Sequence, residues 1–313
     1  DYIMTACGDQ PLLTMAVVSE ELGLPCYLSR KQVLNLTNKM YMKKLMIEND
    51  IPTSKFKTFT SKDELDTSGL SYPLVVKPVD SNGSKGVRKV LNDEELHKFA
   101  KEAFRFTLTD TVIVEEFNAG FEISADFYVI DGKAQKVMWC QLNKFQVNDS
   151  TQVIYQSVIP PVLSEKASAT LNEIADKIAK AYDVNNSPLL IQAIINGDDV
   201  RVIEFSARLG GGAKYKTIQN VTSFNVLKAN LESMLGEVPE VKIQNTGKCY
   251  SRCHLYLTGG KFMAIEGLEK LVKDGTIKEY VLTRPFGVNV NSPMSSSDRV
   301  ASVFIEADDQ SDL

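Results

Sequence analysis

The chain has 313 residues and a mass of 34.7 kDa, 43% of them apolar and 24% charged, which allows a large core or two to three lobes and argues against disorder. A net charge of −5 and a pI near 5.3 disfavour nucleic acid as the main partner, because binding a phosphate backbone needs a surplus of Lys and Arg. No window approaches the roughly 18 consecutive apolar residues of a membrane span, and five scattered cysteines, Cys7, Cys26, Cys140, Cys249 and Cys253, form no disulfide framework, which points to a reducing, cytoplasmic compartment.

In chain order, residues 1–5 read as the middle of a strand, and the apolar run 300–305 stops without a closing element. With no initiator Met at position 1, pieces are expected to be missing at both ends. Residues 10–22 fit a short amphipathic helix ended by Gly23 and Pro25. A second helix spans 38–49, with Met42, Leu45 and Met46 at helical spacing, and stops before Ile51-Pro52. Tyr72-Pro73 introduces a short strand, Leu74, Val75, Val76 and Lys77, bounded by Pro78. The polar loop 80–86 leads directly into a strand at 87–90, and residues 92–105 fit a helix. Strands at 111–117 and 121–130 are joined by Asn118-Ala119-Gly120, and Asp131-Gly132 turns into a third at 134–140, forming a meander. Residues 164–182 carry Leu171, Ile174, Ala175 and Ile178 on one helical face behind Ser164 as N-cap. A hairpin spans 189–205 around Asn196-Gly197-Asp198-Asp199, Gly210-Gly211-Gly212 precedes a helix near 223–235, and from about 248 short strands alternate with turns.

Two places suggest chemistry. The loop after Lys77 offers backbone N–H groups to an anion, because Gly83 and Gly86 carry no side chain. It joins strand to strand and lacks the Gly-Lys-Ser/Thr ending, so it is not a Walker P-loop; taken alone it is equally a solvated hairpin tip. Lys77 tips the balance, since an ammonium inside an apolar strand either reaches solvent or meets an anion. The second place is the hairpin. With a three-residue turn at 197–199, Gln192 lies opposite Glu204, Ser206 shares their face, and Ile191, Ala193, Ile203 and Phe205 form the core side; with a two-residue turn Gln192 and Glu204 would point apart. Two facing oxygen-bearing side chains can share a hard divalent cation, and the plainer alternative is a solvated sheet face. Cys249, Cys253 and His254 lack paired metal-ligand spacing and read as packed thiols, His97 reads as a surface residue, and Trp139 and Tyr155 either line a substrate or pack.

Taken in order, Lys39, Lys77 with 81–86, Val114-Glu115-Glu116-Phe117 with Gly120 and Glu122, and Gln192 with 204–212 resemble the ATP-grasp superfamily over about residues 1–240. The nearest branch contains carbamoyl-phosphate synthase large-chain halves, biotin carboxylase and L-amino acid ligases. The resemblance implies that Lys39 and Lys77 bind ATP phosphates. It makes Ser81, Asn82, Gly83, Ser84 and Gly86 a flap over those phosphates. It places the backbone of Glu115, Glu116 and Phe117 on the adenine edge and Glu122 on the ribose. Gln192 and Glu204 fall at metal-ligand positions, Ser206 stands where the family usually has Asn, and Arg208 matches the arginine at the reacting phosphate.

The expected fold is α/β with an α+β grasp core: a partial pre-grasp segment at 1–50, a grasp core at 51–245 divided at 117/118 into small and large lobes, and a C-terminal mixed lobe at 246–313. The expected function is an ADP-forming carboxylate-amine ligase using ATP and Mg²⁺, with Mn²⁺ as an alternative ion. Small-molecule carboxylates and amines are its expected partners, with a homodimer left open. A carbamoyl-phosphate-synthase-like or carboxylase-type subunit and a nucleotide-binding protein without turnover are the competing readings.

Overall fold

The computed structural model describes residues 1–81, 85–148, 151–292 and 296–313. Three helices open the chain. α1 (Asp9–Leu22) ends on Gly23 at φ 64°, a left-handed cap that suits glycine. α2 (Arg30–Thr37) starts on a capping box in which Ser29 and Gln32 satisfy each other's backbone N–H groups. α3 (Lys39–Glu48) starts on Asn38, whose Oδ1 accepts from the N–H groups of Met40 and Tyr41. Residues 1–5 lie in no strand, and Cys7 makes a single bridge to Leu209, so the strand expected there is not formed and the first fifty residues are helical rather than mixed.

The chain then builds a four-stranded antiparallel sheet from β1 (Phe56–Thr60), β2 (Leu74–Pro78) and β3 (Arg88–Val90), with α4 (Asp93–Ala103) intervening before β4 (Thr111–Glu116). Its order is β1-β4-β2-β3. Leu96, Ala100 and Ala103 of α4 pack on Leu74, Val76, Val90, Val112 and Val114, burying one face of the sheet. At roughly 1.5–3 kcal/mol for each large side chain removed from water, that contact is what holds this small lobe together.

The rest of the chain contains β5 (Phe121–Ile130), β6 (Lys133–Asn148), β7 (Thr151–Ile159), α5 (Glu165–Ala181), β8 (Ser187–Asn196), β9 (Asp199–Ser206), α6 (Lys214–Thr222) and α7 (Val226–Met234). It continues through β10 (Cys249–Leu255), β11 (Gly260–Lys261), α8 (Leu268–Lys273), β12 (Glu279–Leu282), β13 (Asn289–Val290) and β14 (Ala301–Ala307). Eight strands form one antiparallel sheet, β12-β14-β10-β7-β6-β5-β8-β9, and β11 pairs with β13 apart from it. One face packs Ile123, Ala125, Phe127, Ile191 and Phe205 against α1, α2, α3 and α5. The other packs Tyr128, Cys140, Ile159, Tyr250 and Phe304 against Ile218, Val226 and Ala229 of α6 and α7.

The division expected at residue 245 therefore does not separate two bodies: β10 pairs with β7 through Tyr250 and Ile159, and one core runs across the boundary. The apolar run at 300–305 is β14, an interior strand between β12 and β10. Trp139 is packed in the core beside Phe127, Tyr155 lies half-exposed against Phe145, and His97 is exposed on α4.

The turn from β4 into β5 depends on Gly120, at φ 138°, where a Cβ would lie 2.2 Å from the carbonyl oxygen of Ile195. Gly120→Ala should cost at least about 2 kcal/mol of unfolding free energy in urea titration. Gly69→Ala, at φ 81° with open space around it, should cost only about 1 kcal/mol.

Candidate active site

Lys77 sits on an interior strand of the small sheet and is 3% exposed. The register pairs Val75 with Glu115 and Lys77 with Ile113, so Lys77 and Glu115 are diagonal neighbours on one face. They are hydrogen-bonded. The other carboxylate oxygen of Glu115 lies 2.7 Å from Nζ of Lys43, a wholly buried lysine of α3. Lys43 also donates to Thr53 Oγ1 at 2.6 Å, and Thr53 donates to the carbonyl of Val202 on β9 at 2.8 Å. Burial alone would push the Glu115 carboxyl up, but attraction by Lys43 and then Lys77 outweighs it and holds the group at about 2. Burial pushes Lys43 down against the pull of Glu115.

Lys39 lies one turn earlier on α3. Its Nζ donates to the carbonyl of Ser81 at 2.8 Å and stands 3.4 Å from Glu204 Oε2, tying the start of the loop to the large sheet. Gly86 takes φ 71°, and a Cβ there would press on the Phe106 ring at 2.9 Å. Asn82, Gly83 and Ser84 lie outside the described residues. The N–H groups of Glu116 and Phe117 are bonded to the carbonyls of Lys55 and Pro73. An adenine edge that needs an N–H from this stretch would have to meet the chain from Asn118 onward.

The β8–β9 hairpin puts Gln192 opposite Glu204 and Leu190 opposite Ser206. Its tip is not the three-residue turn expected from the sequence. Asn196 pairs with Asp199 around a two-residue turn, and a bulge between Ala193–Val202 and Gln192–Glu204 inserts Ile203 and restores the register. Val200 and Val202 therefore join Phe205 on the core side, and Ile203 stays half-buried outside the core cluster. Gln192 Nε2 donates to Glu122 Oε1 at 3.1 Å, and Lys144 donates to Glu122 Oε2 at 2.5 Å, so Glu122 already has two partners. Gln192 and Glu204 thus supply oxygen donors side by side, with the Glu204 side chain 37% exposed. That chemistry fits a hard divalent cation completed by phosphate oxygens and water. Among the described residues no group of three or more His, Cys, Asp or Glu is placed to hold a metal.

Arg208 is gripped by Asp9 of α1: Nε donates to Oδ1 at 2.6 Å and Nη2 to Oδ2 at 2.9 Å, and Ser206 Oγ donates to the same Oδ1 at 2.9 Å. Ser206 is thus oriented by Asp9. Beyond them Lys214 of α6 pairs with buried Asp126 of β5 at 2.9 Å and donates to Ser124 Oγ at 2.9 Å. The attraction of Asp126 raises Lys214 despite burial. A Cβ on Gly212 would meet Arg299 Nη1 at 2.1 Å, so the glycine loop leaves room for that guanidinium. Arg299 Nη1 donates to His254 Nε2 at 3.3 Å, and His254 Nδ1 lies 2.7 Å from Ser302 Oγ.

The sequence reading missed Asp9, Lys43, Asp126, Lys214 and Arg299. Asp126 was the most legible of them: a carboxylate inside the apolar strand Phe121–Ile130 requires a cation. The cysteines are free, and Cys249 and Cys253 are half-buried on β10.

A family model described as the phosphoribosylglycinamide synthetase ATP-grasp (A) domain matches residues 37–212. The chain is 30% identical over 176 residues to a D-alanine–D-alanine ligase of Pediococcus pentosaceus, covering 53% of this chain and 48% of that protein. It spans about half the length of the curated relatives it matches. An L-amino acid ligase from Bacillus licheniformis has a similar solved structure, with a TM-score of 0.82 and 20% identity over 99% of this chain and 76% of that one. A phosphoribosylglycinamide synthetase from Anaerococcus prevotii superposes with a TM-score of 0.74 and 19% identity, over 98% and 77% of the two chains.

Burial, and after it the charges of Arg299 and Arg252, push His254 down to about 3. The unfolded chain takes up this proton near pH 6.5, so between about 6.5 and 3 it binds more protons than the folded state, and stability falls as pH falls through that window. In urea titrations at pH 7.5 and 5.0, wild type should lose about 2 kcal/mol more than His254→Gln.

Proposed function

This chain, matched over more than half its length by an ATP-grasp family model, belongs to the ATP-grasp family, and we propose that it is an ADP-forming ligase joining a small-molecule carboxylate to an amine. The observation that carries this reading is the assembly of Lys39, Lys77, Gln192, Glu204 and Arg208 where α3, the small sheet and the β8–β9 hairpin meet. Transfer of a γ-phosphoryl group to a carboxylate brings two anions together, so the site must supply cations and fixed donors. Relatives named D-alanine–D-alanine ligase, and a structural neighbour named L-amino acid ligase, support an amino acid as one substrate.

In this reading Lys39 and Lys77 bind the ATP phosphates. Gln192 and Glu204, with Ser206 beside them, would hold Mg²⁺ or Mn²⁺, which when bound offsets phosphate charge. Arg208, aligned by Asp9, stabilises charge on the transferring group. The substrate carboxylate oxygen bonds to the γ-phosphorus as the bond to ADP breaks. The amine then attacks the acyl carbon, phosphate leaves, and the amine proton passes to solvent.

Incubation with ATP, Mg²⁺, hydroxylamine and a panel of amino acids should yield a hydroxamate and ADP. AMP and pyrophosphate would place the chemistry at the α-phosphorus and overturn the reading. Glu204→Ala should abolish turnover. Arg208→Ala should lower kcat by on the order of 10² to 10³ with a smaller change in ATP affinity; normal turnover in that variant would remove Arg208 from the mechanism.

A further inference from the structure

Lys43 has no part in the reading above, yet it is among the largest fully buried side chains in the chain. Its surroundings are closed. Nζ is ion-paired with Glu115 at 2.7 Å, donates to Thr53, stands 5.6 Å from the Phe56 ring centre, and through Thr53 is anchored to β9. Lys77 is held differently: among the described residues its Nζ has Glu115 as its one hydrogen-bond partner, which leaves donors for a second. Two lysines thus share one carboxylate, and one of the two cannot turn away from it.

We propose that Lys43 is a positioning residue that neutralises Glu115 so that the charge of Lys77 is available to a nucleotide phosphate. The inference rests on the assignment of Lys77 to ATP. Without Lys43, Glu115 and Lys77 form a neutral pair, and the carboxylate repels an incoming phosphate. With Lys43 in place and protonated, the three groups carry one net positive charge. Thr53 prevents Lys43 from following the phosphate.

The test is calorimetric titration of Mg²⁺·ATP into the full chain and its variants, each checked for a cooperative thermal transition. Lys43→Met should weaken ATP binding about tenfold. The double variant Lys43→Met/Glu115→Gln should return to within about threefold of wild type, because removing the carboxylate removes the need for its counter-ion. A packing role for Lys43 would lower the melting temperature in both variants and leave ATP affinity uncoupled from Glu115. A folded Lys43→Met that binds ATP as wild type does, or a double variant no tighter than Lys43→Met, overturns the inference. Should Lys43→Met not fold, Glu115→Gln alone decides: it should bind ATP at least as tightly as wild type, and a tenfold loss contradicts the proposal. Failure of wild type itself to bind Mg²⁺·ATP would instead overturn the ligase reading.

Discussion

Two ammonium groups, Lys43 and Lys77, are withdrawn from water and held by one carboxylate, Glu115, where α3, the small sheet and β9 meet. Removing a charge from water costs several kcal/mol, and only close, hydrogen-bonded partners offset it. The cluster therefore fixes how its three elements sit. α3 has to present Lys43 at its buried face, β2 and β4 have to align so that Lys77 and Glu115 are diagonal, and residue 53 has to reach both Lys43 and Val202. Lys39 is placed by the same helix one turn away, and through Ser81 and Glu204 it joins the loop to the large sheet. Neighbouring charges of α3 thus serve as strut and as candidate phosphate ligand.

On the large sheet the corresponding constraint is strand register. A shift of one residue would turn Glu204 from the open face into the core. A two-residue turn at the hairpin tip, continued without interruption, would do that relative to Gln192, and the extra residue Ile203 prevents it. Bulges of this kind re-aim side chains near functional sites. Asp9 then holds the residues that follow, taking the Ser206 hydroxyl and the Nε and Nη2 donors of Arg208, whose Nη1 donates to the carbonyl of Leu209. In this way the helical N-terminal segment contributes a group to the site although it contributes no strand to either sheet.

Much of this was legible in the sequence because single residues reported it. Gly23 and Ser164 marked helix ends, the prolines around Leu74–Pro78 marked a strand, and the turn residues at 118–120, 131–132 and 196–199 marked where the strands Phe121–Ile130 and Ser187–Asn196 begin or end. The facing of Gln192 and Glu204 was anticipated with the wrong turn, because a bulge changes the count without leaving a composition signal. α2 escaped notice because only Val33 and Leu36 are buried on it, although the Ser29 and Gln32 box was present. β1 and β7 were hidden as well: β1 is short and mostly half-buried, and β7 mixes polar and apolar residues without a clean period. Long-range charge partners were the least accessible. Asp9 and Arg208 are 199 residues apart, and no local pattern relates them.

The most direct measurement is a crystal structure of the full chain with Mg²⁺ and a non-hydrolysable ATP analogue. The expected result is nucleotide density between the two sheets, with Lys39 and Lys77 within hydrogen-bond distance of phosphate oxygens and the metal bound through Gln192 and Glu204. Nucleotide bound elsewhere, or metal held without Glu204 while Lys77 stays apart from the phosphates, would contradict the assignment of this site.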